Sequence, residues 1–413
     1  MSFRFLHLAD LHLETRFGGA PETRERLRRA TLEAFERAVD YAIENRLHAL
    51  LAAGDLFDDP ILSVRTELVF ARELRKLSEA GVWFLAVCGN HDPGGAGFRT
   101  ARLGLHGERV RCFREGRPEA VTVTDREGAA VGVVVGAGHE SDREGTNLAA
   151  RFSRVAGALP VVGLLHTNLE SAKASLDHER YAPSTPADYQ RLDYAYWALG
   201  HIHLRQQAVA GLPVHYAGNL QGRNLSETGA KGGLRVEAFP GANATPEFVR
   251  FAPARCEQLT AQGLPANASS DALAAHLVEL VEALPRESDE QLVLRLELAG
   301  PTPLARTLRT PDSLRALSEE VASRTNLLEL ELRADKTSLP IDRARLLASP
   351  SVLGEALSLI ESARRDDALL AELAPADLAQ ETEAGDARLA YLRDLLEELP
   401  EELTLRAVAT EPA

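Results

Sequence analysis

The stretch Cys88-Gly89-Asn90-His91-Asp92 directly follows the apolar run Val82 to Val87. A short apolar run of this kind is typical of a buried strand in a parallel sheet. The side chains that follow include an amide, an imidazole and a carboxylate, and each can bind a metal ion or form hydrogen bonds in catalysis. This stretch therefore predicts functional groups at the carboxyl end of a strand, and the chain repeats the arrangement on both sides of it.

Two earlier segments have the same design. Phe3 to Ala9 is followed by Asp10 and His12, and Ala49 to Ala53 is followed by Asp55. The segments that separate these runs carry apolar side chains at helical spacing. Strand, ligand and helix units in succession predict an α/β sheet whose crossovers place every strand end on one edge.

The pattern returns further along the chain. Val161 to Leu165 precedes His166, and Tyr194 to Leu199 precedes Gly200-His201-Ile202-His203. Side chains at the carboxyl ends of strands in an open α/β sheet share a crevice. We therefore expect the polar clusters to meet at one site, although they are far apart in the sequence.

A change in composition near residue 260 indicates a domain boundary. Residues 263–270 are rich in Gly, Ala, Asn and Pro, as linkers often are. We predict a catalytic domain at residues 1–260, a compact α+β accessory domain at 261–340 and a helical, acidic C-terminal region at 341–413. Strands of the second part alternate leucine with charged residues, as in a small sheet with one covered face.

Composition limits the possible functions. With 413 residues, 45% of them hydrophobic, the chain is long enough for two or three domains. Its net charge of −15 argues against binding nucleic acid over the whole surface, because such binding neutralises phosphates with Lys and Arg. A phosphate-bearing substrate must therefore be held locally.

No part of the sequence predicts a membrane segment or a disulfide framework. No apolar run reaches the roughly 18 residues of a membrane span, and Arg4, His7 and Asp10 interrupt the N-terminal apolar stretch. The three cysteines are scattered and match no zinc-ribbon spacing. We expect a cytoplasmic protein with reduced thiols and no membrane partner.

The polar clusters favour a catalytic site that holds divalent metal ions. Asp, His and Asn together suit manganese, iron or zinc, and the absence of cysteine from every cluster argues against structural zinc. Asp10 and His12 can chelate one ion, and Asp55 can bridge two. Two ions can activate a water between them and hold the phosphoryl oxygens, which is the chemistry of phosphoester hydrolysis.

His91 lies next to Asn90 but need not bind metal. A protonated imidazole here can stabilise the transition state or donate a proton to the leaving oxygen. Asp92 can orient His91 through a hydrogen bond. We therefore predict catalytic roles for His91 and Asp92.

Taken in order, these motifs resemble those of the calcineurin-like metallophosphoesterases. Within that family the chain is most similar to SbcD-type DNA repair exonucleases, and among these to the YhaO branch. The similarity covers about residues 1–240. It is carried by Leu8-Ala9-Asp10-Leu11-His12, Ala53-Gly54-Asp55-Leu56-Phe57-Asp58, Cys88-Gly89-Asn90-His91-Asp92, Gly163-Leu164-Leu165-His166-Thr167, Gly200-His201-Ile202-His203 and Tyr216-Ala217-Gly218-Asn219.

The resemblance implies a metallophosphoesterase core, a layered α/β sandwich, with two manganese ions as cofactors. One ion would be held by Asp10, His12, Asp55 and His203, and the second by Asp55, Asn90, His166 and His201. His91 would take the transition-state role. The resemblance also implies a homodimer that acts on DNA with an SbcC-like coiled-coil ATPase, residues 261–340 capping the DNA and the acidic tail docking the ATPase.

Three cations follow the last metal ligands in the sequence: Arg205, Arg223 and Lys231. They are candidates for binding substrate phosphates, and solvated loop charges are the alternative interpretation. His7, His178 and His215 likewise fit either a structural role or a place near the site.

Three functions stay open from the sequence. The first is a manganese-dependent DNA exonuclease or endonuclease subunit. The second is a phosphatase, or a nucleotide or cyclic-nucleotide phosphodiesterase, with the same metals. The third is a non-catalytic scaffold for the ATPase, and the complete set of ligands argues against it.

Overall fold

The chain forms two compact units. The structure is a computed structural model that describes residues 2–58, 61–95, 108–173, 181–265, 269–286, 289–340, 343–373 and 385–407. The first unit comprises Met1–Glu257 and Glu287–Val293, and the second comprises Gln258–Arg286 and Leu294–Ala413.

The first unit contains two six-stranded sheets. Its strands are β1 (Phe3–Leu8), β2 (Ala49–Ala52), β3 (Trp83–Val87), β4 (Val110–Phe113), β5 (Glu119–Thr124), β6 (Ala130–Ala137), β7 (Val161–His166), β8 (Tyr196–Gly200), β9 (Gln206–Gln207), β10 (Val214–Tyr216), β11 (Gly232–Ala238) and β12 (Glu247–Arg250). Its helices are α1 (Pro21–Glu44), α2 (Val64–Glu79) and α3 (Pro186–Gln190), with a 3-10 turn at Ala149–Arg151.

Strand direction explains where polar residues collect. One sheet has the order β12-β11-β1-β2-β3-β4, and the other has the order β5-β6-β7-β8-β10-β9. Strands β1 to β4 run parallel to one another, as do β6, β7, β8 and β10. Each sheet therefore presents the carboxyl ends of its central strands on one edge.

Alternation along β1 builds the layers of this unit. Phe3 and Phe5 pack into an apolar cluster shared with residues of the second sheet, such as Val162. Leu6 and Leu8 face the opposite way, into a cluster that includes buried side chains of α1 and α2. A further apolar cluster covers the outer face of the second sheet. The unit is thus a layered α/β sandwich, and the predicted fold class is confirmed.

The crossover helices begin and pack as their sequences predict. Helix α1 starts with Pro21, whose missing N–H has no intrahelical acceptor to lose at this position. Helix α2 is capped by Ser63, whose hydroxyl accepts a hydrogen bond from the backbone N–H of Thr66 at 3.2 Å. Both helices bury an apolar stripe against the first sheet. Phe35 of α1 and Phe70 of α2 belong to these stripes.

The second unit is smaller and of α+β type. Its elements are β13 (Ala254–Ala261), α4 (Ser270–Glu282), β14 (Gln291–Pro301), α5 (Ala305–Leu308), α6 (Pro311–Arg324), β15 (Leu327–Ser338), α7 (Arg343–Leu347), α8 (Val352–Arg365), α9 (Asp367–Leu373) and α10 (Gly385–Ala407). The three strands form one sheet in the order β13-β14-β15, and the first two start in the first unit.

The structure groups the chain differently from the three predicted parts. Residues of the predicted segments 261–340 and 341–413 fall into the same compact unit. The short return of Glu287–Val293 to the first unit has no signal in the sequence composition. Among the helices that the structure describes, none is both long and apolar enough to cross a lipid bilayer.

Candidate metal centre

The seven predicted metal ligands lie together at one edge of the first unit. Asp10 and His12 follow β1, Asp55 follows β2, Asn90 follows β3, His166 ends β7, and His201 and His203 follow β8. These strands belong to both sheets, and contacts such as that of His166 Nδ1 with Asp10 Oδ1 at 3.7 Å join the two edges. The site therefore forms where the carboxyl ends of five strands converge.

Four of the ligands have backbone in the left-handed region. Their φ angles are 50° at Asp10, 45° at His12, 48° at Asp55 and 101° at His201. Non-glycine residues seldom adopt this region, although Asp and His tolerate it better than most. Each such residue costs on the order of 1–3 kcal/mol and persists only where its surroundings hold it. Strain concentrated on four ligands indicates that these side chains are positioned for function.

Two glycines are required because backbone and side chains approach closely. Gly89 packs against the carboxylate of Asp55, and Gly200 packs against the carbonyl oxygen of Ala53. A Cβ atom at either position would overlap these oxygens. The glycines in the Gly-Asn-His-Asp and Gly-His-Ile-His motifs thus make room for the ligands beside them.

Asp10, His12 and His203 form the first ligand group. One ligand atom from each lies within 4.8 Å of the others, and the Nε2 atoms of His12 and His203 are 3.1 Å apart. Nδ1 of His12 donates to Asp58 Oδ1 at 3.1 Å, and Nδ1 of His203 donates to Glu227 Oε1 at 2.6 Å. With Nδ1 protonated, each Nε2 carries a lone pair.

Two lone pairs that face each other at this distance repel unless they share a proton or a metal ion, and the Arg223 guanidinium lies 3.3 Å from His12 Nε2. Buried carboxylates complete the donor set, because Asp10 is fully buried and Asp55 Oδ2 lies 3.7 Å from His12 Nε2. A carboxylate behind each imidazole is also the usual arrangement around metal-binding histidines. The donors of this group therefore fit a divalent metal ion.

Asp55, Asn90, His166 and His201 form the second ligand group. Nε2 of His166 lies 3.0 Å from Asn90 Oδ1 and 3.4 Å from Asp55 Oδ2. Nδ1 of His201 lies 3.2 Å from the same Asn90 oxygen. The Nδ1 atom of His166 donates to the carbonyl oxygen of Ala53 at 2.9 Å, so its Nε2 carries the lone pair that can bind a metal ion, as in His12 and His203. This group fits a second ion, and Asp55 lies between the two groups.

Burial sets the protonation of these ligands. Desolvation raises the pKa of Asp10 to about 7, and it lowers the pKa of His12 to about 4 and that of His166 well below its ordinary value. Burial also opposes ionisation of Asp55, but the facing imidazoles of His166 and His12 hold its pKa below the ordinary value. Near neutral pH the imidazoles of His12 and His166 are therefore neutral, the form that binds metal.

His91 is held by a residue that the sequence analysis did not single out. Its Nδ1 donates to Asp58 Oδ1 at 2.9 Å, and its backbone N–H donates to Asp55 Oδ1 at 2.9 Å. Burial lowers the pKa of His91, but the hydrogen bond to Asp58 and the negative charges of Asp55 and Asp58 together raise it above its ordinary value. The ring lines the cavity of the site. An imidazole poised in this way can carry a proton close to neutral pH.

Asp58 also accepts two bonds from the Arg223 guanidinium, at 2.9 and 3.1 Å. His12, Asp58 and His91 are close enough to hold a cation by distance alone. However, both Nδ1 atoms already donate to the carboxylate, so neither offers a lone pair to a metal ion, and Arg223 donates to the same carboxylate. Asp58 therefore holds His12, His91 and Arg223 in place through hydrogen bonds and does not itself bind metal.

Asp92 has partners other than the one predicted for it. Its Oδ2 accepts from the backbone N–H of Leu56 at 2.7 Å, and its Oδ1 accepts from that of Gly89 at 2.9 Å. The orienting contact that was predicted between Asp92 and His91 is instead made by Asp58. Asp92 is fully surrounded by protein and ties the loop after β2 to the loop after β3.

A polar cavity of about 990 Å³ opens in front of the ligands. Two of the predicted substrate cations, Arg223 and Lys231, line it. The third, Arg205, places its guanidinium 3.5 Å above the centre of the Phe248 ring. Three cations that the sequence analysis did not select also line the cavity: Arg16, Arg143 and Lys173.

The structure decides the role of two of the three histidines for which the sequence allowed either a structural role or a place near the site. His7 is fully buried, with Nδ1 3.1 Å from the Tyr196 hydroxyl and Nε2 3.2 Å from the Leu199 carbonyl oxygen. His215 stacks on the ring of Tyr196. These two pack inside the fold, whereas His178 lies outside the described residues.

The sequence that forms this site matches a known protein family. A model of the calcineurin-like phosphoesterase family matches residues 3–205. These residues form a calcineurin-like metallophosphoesterase domain. The family resemblance inferred from the motifs is thereby confirmed, and the metallophosphoesterase domain contains both ligand groups.

Two relatives of the chain align with the metallophosphoesterase domain and have different names. The uncharacterized metallophosphoesterase YhaO of Bacillus subtilis is 33% identical over 242 residues, which are 57% of this chain and 58% of the relative. The DNA double-strand break repair protein Mre11 of Aeropyrum pernix is 31% identical over 240 residues, 55% of this chain and 56% of the relative. The chain thus matches a little more than half the length of these relatives.

Among solved structures, a dimetal phosphatase from Danio rerio aligns at 14% identity and a TM-score of 0.33. The alignment covers 60% of this chain and 99% of that chain.

Two carboxylates near the metallophosphoesterase ligands, Asp58 and Glu227, escaped the sequence analysis. Asp58 stands three residues after Asp55 within a quoted motif, so its spacing was a signal that could have found it. Glu227 lies in a polar loop after β10, where a glutamate is usually solvated. Only the fold places its carboxylate on His203.

Proposed function

We propose that this chain hydrolyses phosphodiester bonds of DNA with two divalent metal ions, as the nuclease subunit of a DNA repair complex in the cytoplasm. The observation that carries the proposal is the pair of Nε2 atoms of His12 and His203, 3.1 Å apart and fixed from behind by carboxylates. A second ligand group, sharing Asp55, stands beside them.

The metal chemistry follows from the donors. Two bound ions would supply Lewis acidity, an activated water and neutralisation of the phosphoryl charge. Imidazole, carboxylate and amide oxygen donors, without any thiolate, suit manganese, iron or zinc. Of these we propose manganese as the cofactor, because the family resemblance of the motifs implies it.

His91 is the proposed transition-state group. Its ring lines the cavity, and Asp58 fixes its Nδ1 end at 2.9 Å. Asp58 favours the protonated imidazole, which can donate a hydrogen bond to a phosphoryl oxygen or a proton to the leaving oxygen. Asp92, which braces the Gly89 and Leu56 backbones, would keep His91 and Asp55 in register.

Local positive charge supports a polymeric phosphodiester as substrate. The net charge of the chain is −15, yet five cations line the cavity: Arg16, Arg143, Lys173, Arg223 and Lys231. A cavity of about 990 Å³ is larger than one nucleotide needs, so phosphates on either side of the scissile bond can reach these cations. The name of the Aeropyrum pernix relative, a DNA double-strand break repair protein, supports DNA as that polymer.

Exposed apolar residues support the proposed partners. On and before helix α2, Ile61, Val64 and Leu68 are 76%, 71% and 64% exposed, and we propose this patch as the homodimer contact. On helix α10, Tyr391, Leu395 and Leu399 recur every four residues with exposed side chains. We propose that this second stripe docks the SbcC-like coiled-coil ATPase, and that residues 261–340 cap the DNA.

Turnover of two chromogenic esters tests the reaction class. With manganese, the protein should hydrolyse bis-p-nitrophenyl phosphate with a higher kcat/KM than p-nitrophenyl phosphate. A preference for the monoester would instead favour a phosphatase. If the protein hydrolyses neither ester and no DNA substrate, the non-catalytic scaffold function is favoured.

A further inference from the structure

Glu227 receives more hydrogen bonds than a loop glutamate usually does. Its Oε1 accepts from His203 Nδ1 at 2.6 Å. Its Oε2 accepts from Asn219 Nδ2 at 2.6 Å and from the backbone N–H of Arg223 at 2.7 Å. The side chain is only 14% exposed, at the wall of the cavity. Three donors, one that follows β8 and two from the loop of residues 219–227, thus converge on one carboxylate.

The first bond bears on metal binding. Because a carboxylate only accepts hydrogen bonds, it fixes the proton of His203 on Nδ1 and leaves Nε2 to face His12 Nε2 at 3.1 Å. Without this acceptor the imidazole can adopt the other tautomer or turn away. Either change removes a metal-binding nitrogen from the first ligand group.

The bond to Arg223 bears on substrate binding. Glu227 closes the loop of residues 219–227 by holding the Arg223 backbone, and the Asn219 amide braces the same oxygen. From this backbone position the Arg223 guanidinium reaches Asp58 at 2.9 Å and lies 3.3 Å from His12 Nε2. The loop conformation therefore sets where this cation enters the cavity.

We propose that Glu227 is a positioning residue that couples metal binding to substrate binding, by fixing the tautomer of His203 and the backbone of Arg223 with one carboxylate. The inference deepens the proposed phosphodiesterase function and rests on it for its substrate arm. Its metal arm depends only on this chain's own residues.

Glu227→Gln is the direct test, because it keeps the shape of the side chain but replaces one of the two accepting oxygens with an NH₂ group. That group cannot accept the hydrogen bond made at its position in the wild type. The matched control is Glu140→Gln, a carboxylate that accepts the backbone N–H of Gly116 at 2.9 Å and no imidazole. Manganese affinity, measured by titration of free Mn²⁺ with electron paramagnetic resonance, should fall about 10–100-fold in Glu227→Gln. It should be unchanged in Glu140→Gln.

A spectroscopic arm reads the tautomer without metal or substrate. In ¹⁵N-histidine NMR spectra, the His203 ring, assigned by its loss in His203→Ala, should show the Nδ1-protonated form in the wild type. It should show mixed tautomers in Glu227→Gln. A substrate arm measures KM for bis-p-nitrophenyl phosphate at saturating manganese, and this KM should rise severalfold with a smaller change in kcat.

A double variant separates the two roles. In a His203→Ala background, Glu227→Gln should change manganese affinity no further, while it should still raise KM. Glu227→Asp, which withdraws the carboxylate by one methylene, should shift affinity and KM in the same direction and serves if Glu227→Gln does not fold.

Wild-type manganese affinity and an unchanged His203 tautomer in folded Glu227→Gln, with only a lower Tm, would overturn the proposal. If no phosphoester is hydrolysed by the wild type, the proposed function fails, but the affinity and tautomer measurements still decide the role of Glu227.

Discussion

The Nε2 atoms of His12 and His203 face each other at 3.1 Å, although 191 residues separate them in the chain. Each ring is held from behind, His12 by Asp58 and His203 by Glu227. The folded protein therefore brings two imidazole nitrogens together at a position that a bound metal ion would stabilise. Metal binding and folding should be linked at this point.

Metal binding should separate Asp55 from His91. We expect manganese to raise the Tm of the wild type. Asp55→Ala removes the carboxylate between the two ligand groups, so it should lose both manganese binding and this rise in Tm. At a free metal concentration 100 times Kd, that rise corresponds to about 2.7 kcal/mol for one site. His91→Ala should keep both. Isothermal titration and thermal scans measure these effects, and equal loss in the two variants would make His91 a ligand.

Asp58 should matter to turnover through His91. Asp58→Asn removes one acceptor that His12, His91 and Arg223 share, so kcat at saturating manganese should fall by about 10–100-fold. In a His91→Ala background the same substitution should lower kcat much less, because its main target is already gone. Full additivity of the two losses in steady-state assays with bis-p-nitrophenyl phosphate would show that Asp58 acts independently of His91.

The cavity cations should determine how salt weakens DNA binding. Arg143→Ala and Lys173→Ala should each raise KM for DNA and reduce the slope of log affinity against log salt concentration by about one. Arg154→Ala is the matched control, because this arginine is exposed and paired with Asp193 at 3.1 Å. Fluorescence anisotropy over a series of salt concentrations gives the slopes. Slopes equal to that of the control would remove these two cations from the DNA site.

His7 should contribute to acid lability. Burial, together with the repulsion of His215, lowers its pKa to about 3 from an unfolded value near 6.5. Between these values the unfolded chain binds a proton that the native protein does not, so stability is full above pH 6.5 and falls as the pH drops. His7→Gln should reduce the loss in free energy of unfolding between pH 7 and pH 5 by about 2 kcal/mol. Urea titrations of the metal-free protein at both pH values measure it, and an unchanged loss would show that His7 is protonated in the native protein.

Much of the metallophosphoesterase domain could be predicted because its information is local. Apolar runs that end in Asp10, Asp55 and Asn90 predict parallel strands, and the ends of such strands meet. The spacing of His201 and His203 after β8 made them candidate ligands for the same reason. These patterns gave the α/β class and the seven candidate ligands.

The supporting residues depend on contacts that sequence spacing does not show. Asp92 neighbours His91 in the sequence, yet its oxygens are taken by the Gly89 and Leu56 backbones, and Asp58 reaches the ring instead. The same limit applies to Asp289, whose carboxylate pairs with Arg37 at 2.8 Å and lies in the segment that returns to the first unit. Long-range geometry, rather than residue type, selects such partners.

Hydrolysis of end-labelled DNA with manganese, comparing the wild type with His91→Ala, tests the central claim most directly. The account predicts manganese-dependent cleavage by the wild type and a loss of about 10²–10⁴-fold in His91→Ala with manganese still bound. DNA left intact by the manganese-loaded wild type, both alone and with the proposed SbcC-like ATPase, would contradict it.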